Sequence, residues 1–207
     1  MNEFDIKAAN WDANLMHLDR AEKIANRIRE EIPLNKSMTA LEFGAGTGLT
    51  SFLLSKYLNE ITMMDNSQEM VRVMNEKILK SGADNLKAVY FDLEHSDYIA
   101  AKFDLIFTQM VTHHIVDIQS LFYKFAALLN PGGYLAIADL YTENGSFHGE
   151  NFKGHNGFDP EELAVILRSR GFSGISHKKC YTLEREVTPG EIAKFDIFLL
   201  TGVLAKQ

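Results

Sequence analysis

The residues best placed to do chemistry in this chain are a glycine loop, acids at two predicted strand ends, and four of its seven histidines. The loop Gly44-Ala45-Gly46-Thr47-Gly48 follows a short apolar strand and opens a helix. Gly44 and Gly46 permit positive backbone angles and remove the Cβ that would keep a ligand away from the main chain. Glycines in such a turn also serve packing alone, and the loop by itself leaves both uses open. Asp65 ends the next strand, about twenty residues beyond the loop, where a carboxylate can accept both hydroxyls of a ribose. It could instead cap the following helix, a task that Asn66 or Ser67 can also perform. Asp92, in Phe91-Asp92-Leu93-Glu94, ends the third strand and could accept a hydrogen bond from an adenine amino group. Gly, Asp and Asp at three successive strand ends point to an adenosine site.

His113 and His114 follow the fourth strand, while His148 and His155 lie in a polar stretch from Tyr141 to Phe158. Histidine is the side chain that exchanges protons near neutral pH. His113, His148 and Tyr141 are therefore candidates to bind or deprotonate a substrate. A structural pair, one ring bonded to backbone and one solvated, is the other reading of His113 and His114. The four histidines have no recognisable ligand spacing and no second cysteine beside them, so no metal is expected.

The elements that must position these residues follow from periodicity. Ala21, Ile24, Ala25, Ile28 and Ile32 recur at helical spacing over His17–Ile32, and Pro33 stops that helix. Strands are expected at Met38–Phe43, Glu60–Met64, Leu86–Phe91, Phe103–Thr108 and Tyr134–Ala138. Helices are expected over Thr50–Leu58, from Asn66 or Ser67 to about Lys80, over Ile118–Leu129 after Asp117, and from Asp159 to Gly171. Five strands alternating with helices predict a parallel sheet covered on both faces. The last two strand-like runs, Ile175–Leu183 and Lys194–Leu200, have only a polar connection between them and should form an antiparallel edge hairpin. The long stretch Tyr141–Phe158 has neither period, and loops of that length are often functional.

Bulk properties narrow the partners. The 207 residues suit one domain, 46% hydrophobic and 24% charged, with a net charge of -7. That balance, without a basic run, disfavours nucleic acid and anionic membranes and favours a small-molecule partner. Cys180 is the only cysteine; it falls in a predicted strand, reads as a buried inert thiol, and fits a cytoplasmic setting. The polar, acidic start does not read as a signal peptide, and no apolar run approaches the ~20 residues of a membrane span.

Leu41-Glu42-Phe43-Gly44-Ala45-Gly46-Thr47-Gly48 resembles the first motif of class I S-adenosylmethionine-dependent methyltransferases. Phe103-Asp104-Leu105-Ile106 resembles that family's fourth strand, and Pro131-Gly132-Gly133-Tyr134-Leu135 its turn into the fifth. The resemblance implies an α/β, Rossmann-like, doubly wound sheet of seven strands, mostly parallel, with an antiparallel C-terminal edge hairpin. It implies S-adenosyl-L-methionine as cofactor, with Glu42 and the backbone of Gly44, Ala45 and Gly46 at its methionine part. Asp65 and Asn66 would meet the ribose, Asp92 and Leu93 the adenine, and Thr108 would lie near the transferring methyl. Residues 1–33 would form a lid segment, with Trp11 its candidate closing residue or else a packing anchor. Residues 141–158 would be a substrate-side loop. Gly145–Glu150 together with His155–Leu163 resembles a loop of small bacterial methyltransferases whose acceptors are unassigned. Two alternatives stay open: a non-catalytic adenosylmethionine-binding regulator, and an NAD(P) oxidoreductase, whose usual loop is Gly-x-Gly-x-x-Gly. The fourth strand ends in Thr108-Gln109-Met110-Val111, unlike the Asn/Asp-Pro-Pro-aromatic run of many enzymes that methylate base amino groups.

Overall fold

A computed structural model of the chain describes residues 3–149 and 151–206, so Glu150 of the loop motif lies outside them. Seven strands, β1 (Thr39–Phe43), β2 (Glu60–Asp65), β3 (Leu86–Tyr90), β4 (Phe103–Gln109), β5 (Leu129–Leu140), β6 (Phe172–Thr188) and β7 (Glu191–Leu204), form one sheet. Their order is β3-β2-β1-β4-β5-β7-β6. The first five pair in parallel, and β7 runs antiparallel between β5 and β6. The expected architecture, closing hairpin included, is the one observed.

Six helices, α1 (Glu3–Lys7), α2 (Leu15–Glu31), α3 (Leu49–Leu54), α4 (Gln68–Ser81), α5 (Ile118–Leu128) and α6 (Pro160–Ser169), are described. Two apolar clusters divide between them. Ile24 and Ile28 of α2, Leu54 of α3 and Met74 of α4 pack with Ala40, Met63, Leu105 and Phe107. Leu121 and Phe125 of α5 and Leu163 and Leu167 of α6 pack with Leu41, Ile106, Leu135 and Phe198. Neighbouring residues of one strand join different clusters because successive side chains leave a strand on opposite faces. Side chains close the helix starts: Asn14 accepts from Met16 N–H at 3.0 Å, Ser67 from Met70 at 3.2 Å, Asp117 from Ser120 at 3.0 Å and Asp159 from Glu161 at 2.9 Å. Ser67, rather than Asn66, is thus the cap of α4, and Asn14 caps α2, which starts at Leu15, two residues before His17.

Three boundaries differ from expectation. The helix expected over Thr50–Leu58 tightens into a 3-10 turn at Ser55–Tyr57. β5 begins at Leu129, with Pro131-Gly132-Gly133 carried as an irregularity where the register jumps between Phe103 and Leu105. The hairpin ladder continues through the polar connection to Thr188 and Glu191, leaving only Pro189-Gly190 as its turn. Out there the ribbon has exposed polar residues on both faces, so its sequence lacks the apolar alternation that marks a half-buried strand. Cys180 is half-buried on β6, not buried, and burial pushes its thiol up to about 12. Among the described residues no helix is long and apolar enough to cross a membrane.

At the amino-terminal ends of the parallel strands one carboxylate makes the joint. Asp104 Oδ2 accepts from the Thr39 N–H at 2.9 Å, and its Oδ1 from Asn130 Nδ2 at 2.8 Å. Asp104 therefore ties the starts of β1, β4 and β5. Replacing it with alanine is expected to lower the unfolding free energy by ~1–3 kcal/mol, read as a reduced urea midpoint. A shift inside ~0.5 kcal/mol, the range of neutral surface changes, would show that the tie contributes nothing.

Candidate active site

Strand order reverses between β1 and β4, and the crevice beyond the carboxyl ends of such strands is where doubly wound sheets bind ligands. Here it opens into a cavity of about 620 Å³. Gly44 and Gly46 both have positive φ, 64° and 57°. A Cβ on Gly44 would stand 2.5 Å from Val111 Cγ2, so glycine is what lets the loop close against the end of β4. A Cβ on Gly46 would meet only Trp11 Nε1, at 3.9 Å, which leaves that side of the loop open to a ligand. Asp65 shapes the loop from beneath. It accepts from Gly46 N–H and Ser67 N–H, both at 2.8 Å. Burial raises its carboxyl to about 6 against the pull of those hydrogen bonds.

Asp65, Asn66, Asp92 and Leu93 line the cavity with Met64, Met70 and Phe91. Asp92 also folds back on its own turn, accepting from Glu94 N–H at 3.0 Å and lying 3.0 Å from His95 Nδ1. Trp11, in a 3-10 turn over Ala8–Ala13, stacks at a tilt on His17 with centroids 4.3 Å apart and lines the cavity from above. A polar strap holds this segment down. Lys77 Nζ donates to Asp12 at 2.6 Å and to the Thr47 carbonyl at 2.8 Å, while the Thr47 hydroxyl donates to Asp12 at 2.5 Å.

The histidine end is built by a sharp exit from β4. Met110 has φ 54°, the one described non-glycine residue with positive φ, and its N–H donates to the Ala138 carbonyl at 2.8 Å. Such conformations persist where the surroundings over-determine them, often at functional sites. The 3-10 turn Thr112–His114 follows. His113 is buried, and its Nδ1 lies 2.5 Å from Asp139 Oδ1 at the end of β5; its backbone N–H donates to Asp139 Oδ2 at 3.1 Å. Burial alone would raise the Asp139 carboxyl, but the His113 charge and hydrogen bonds from His113 and Leu140 hold it below the ordinary value. An ionised Asp139 keeps a proton on His113 Nδ1 and aims Nε2 at His148 Nε2, 3.0 Å away. His148 stacks on Phe152, centroids 3.9 Å apart.

Not every expected residue reaches the cavity. Glu42 is wholly buried under α3, where the Ser51 hydroxyl and N–H donate to its Oε2, and its Oε1 has no partner. Thr108 is buried within β4, and Gln109, Met110 and Val111 form the wall instead. Tyr141 leaves the cavity: its ring packs edge-on against Phe198 and its hydroxyl stands 3.5 Å from His177 Nδ1. His155 is a staple, with Nε2 3.0 Å from the Ile115 carbonyl and its N–H donating to the His113 carbonyl at 2.7 Å. Two wall residues, Arg20 and Arg185, and one buried acid behind the wall, Asp139, have no place among the sequence-based expectations. Asp139 ends an apolar strand just as Asp65 does, and that signal could have found it. Arg20 precedes Ile24 by one helical turn and so lies on the buried stripe of α2. It is 7% exposed, lines the cavity, and makes no ion pair among the described residues; its Nε has no partner. Burial lowers it to about 10 against the pull of Tyr181 and Asp139, so it stays charged at neutral pH. Arg185, from the exposed part of β6, completes that wall.

The sequence pattern of a family described as a methyltransferase domain matches residues 41–137. An uncharacterised methyltransferase of Schizosaccharomyces pombe is 32% identical over 152 residues, 66% of this chain and 54% of that protein. The chain spans about half or less of the first curated relatives it matches, 54%, 46% and 40% of their lengths. In three dimensions it resembles YcgJ of Bacillus subtilis with a TM-score of 0.76 at 15% identity, covering 90% of this chain and 100% of that one. Phosphoethanolamine N-methyltransferase 2 of Haemonchus contortus, solved with S-adenosyl-L-methionine, gives 0.72 at 16% identity, covering 100% and 61%. At those identities the structural likeness shows the fold.

Glu42 generates a pH prediction. Burial pushes its carboxyl from 4.5 up to about 8, outweighing the hydrogen bonds from Ser51. Between those values the folded chain binds more protons than the unfolded one, so stability is lost as pH rises through the window. Glu42→Gln removes the charge and keeps the shape. The ligand-free variant should exceed its parent in stability at pH 8 by more than ~1.4 kcal/mol, the worth of one pKa unit, with the gap shrinking towards pH 5. Urea titrations at both pH values check this; a gap independent of pH would overturn it.

Proposed function

We propose that this chain is a class I S-adenosylmethionine-dependent methyltransferase that transfers a methyl group from S-adenosyl-L-methionine to a small-molecule acceptor, a reading supported by the matched methyltransferase-domain pattern and the methyltransferase relatives. The observation that carries this reading is one cavity with two unlike ends: the Gly44–Gly46 loop with Asp65 and Asp92 at one, the Asp139–His113–His148 chain at the other. S-adenosylmethionine, when bound, supplies the methyl as an electrophile on a positively charged sulfur. The residues present fit it. The open side of Gly46 admits a ligand against the main chain, Asp65 and Asn66 suit a ribose, and Leu93 with Met64 and Phe91 suits a flat base. Arg20, a buried cation with no ion pair among the described residues and an unpartnered Nε, suits the carboxylate of an amino-acid tail, since an uncompensated buried charge is costly. That assigns the methionine end to Arg20 and the loop backbone rather than to the Glu42 side chain.

Methyl transfer asks mainly for in-line positioning and exclusion of water. In this reading residues 3–31, with Phe4 and Trp11 over the cavity, exclude solvent as a lid on one single-domain body. His113, oriented through Nδ1 by Asp139, offers Nε2 to the acceptor or to His148, and accepts the acceptor's proton where one must leave. His148 holds the acceptor from the loop side. Tyr141 has no part in this, because its hydroxyl faces His177. A cytoplasmic setting is part of the proposal, supported by a sequence with a single cysteine, which allows no disulfide within the chain.

Calorimetry should find adenosylmethionine binding and no comparable NAD binding. Asp65→Ala and Arg20→Ala should each weaken adenosylmethionine ~10–100-fold, as expected for lost charged hydrogen bonds. Tight NAD binding without adenosylmethionine binding would sink the proposal. A screen of metabolites for labelled methyl transfer should identify the acceptor, and His113→Ala should then cost ~100-fold or more in turnover. Binding without transfer to any acceptor would favour the non-catalytic regulator.

A further inference from the structure

Three imidazoles meet at the acceptor end of the cavity. One ring nitrogen from each of His113, His114 and His148 lies within 4.8 Å of the others. The nearest pair, His113 Nε2 and His148 Nε2, stand 3.0 Å apart. Two nitrogens on one tetrahedral zinc ion, each at about 2.0–2.1 Å, stand about 3.3 Å apart. Two of the three rings are thus already close to ligand spacing, and His114, within 4.8 Å, must close in by up to about 1.5 Å to join them.

The surroundings resemble those of a built site. His113 is held at Nδ1 by the buried Asp139, the carboxylate pairing that fixes the tautomer of a metal-binding histidine and strengthens its other nitrogen as a donor. Phe152 stacks on His148, and Phe147 meets it edge-on at 4.7 Å, giving an apolar shell. All three histidines line the cavity, so a further coordination position faces the space where an acceptor would lie.

We propose that His113, His114 and His148 bind a divalent late transition metal, zinc foremost, with an open position towards the cavity. Three neutral imidazoles with no carboxylate among the direct ligands suit zinc, copper or nickel and not magnesium or calcium. The site's purpose rests on the methyl-transfer reading: the open position would take a lone pair of the acceptor's oxygen, nitrogen or sulfur. With the ion bound, His113 is a ligand and not a base. Metal binding itself does not depend on that reading.

The test uses the full chain, stripped with a chelator and titrated with Co²⁺ as the probe, then with Zn²⁺ in competition. One equivalent of Co²⁺ should bind with visible absorption of a four- or five-coordinate nitrogen-ligated ion, and Zn²⁺ should displace it. His114→Ala and His148→Ala each remove a half-buried ring, and circular dichroism of the metal-free variants checks the fold. Each should abolish the absorption. Asp139→Asn, which acts through His113, should weaken Co²⁺ by ~10–100-fold. Lack of stoichiometric uptake, or uptake that survives both histidine variants, would overturn the site. Adenosylmethionine calorimetry on the same samples separates the two proposals. Cofactor binding without metal uptake removes the metal site alone, while metal uptake without cofactor binding supports the site and removes the methyl-transfer reading.

Discussion

The cavity of this molecule hangs from one topological constraint. Parallel neighbours need crossovers, and a right-handed chain that winds both ways from its first strand must leave β1 and β4 in opposite directions. The two strand ends therefore cannot be closed by their own connections, and a crevice opens between them. The glycine loop leaves β1 at its rim, Asp65 comes from β2 on one side, and Asp139 comes from β5 on the other. No helix covers the crevice from the sheet itself. The cover comes from the segment before the first strand and from the loop after β5.

The buried charges of the site are balanced unequally. Asp139 and His113 satisfy one another: Asp139 has hydrogen bonds to both oxygens, and its ionised form is favoured despite full burial. Glu42 has only Ser51, and desolvation wins. Arg20 makes no ion pair among the described residues and remains charged because a guanidinium holds its proton even against burial. A paired acid, a largely neutralised acid and an unpaired base are three different answers to the same low dielectric. The unpaired one is where a ligand's own charge can contribute most.

Much of this was legible in the residues. β1, β2 and β4 are buried runs bounded by turn signals, α2 and α4 carry their apolar stripes openly, and α4 also its capping side chain. Strand-end chemistry was legible wherever an acid interrupts an apolar run, as at Asp65. What periodicity could not convey was the direction in which a side chain of mixed character turns. Glu42 looked like a ligand and became a buried prop for α3. Tyr141 sits beside the histidine loop in sequence yet faces His177 on the far strand. The pairing of His113 with Asp139 joins residues 26 apart, and that of His113 with His148 joins residues 35 apart, so neither has a local signature. Arg20 was hidden because a charge between charges reads as solvated unless its place on the buried stripe is counted.

The strap over the glycine loop bears on traffic through the cavity. Its members are partly exposed, with Lys77 and Asp12 side chains at 24% and 35%, and exposed ion pairs are worth only ~0–1 kcal/mol. The strap is one fastening of that cover, beside the Ser67 hydroxyl that donates to Asp5 at 2.6 Å, and single ties of this kind open and re-form without disturbing the sheet, as weakly held segments of folded chains do. Under the proposed function, the floor of β1, β2 and β4 keeps its geometry from one ligand to the next while the roof governs how long each ligand stays.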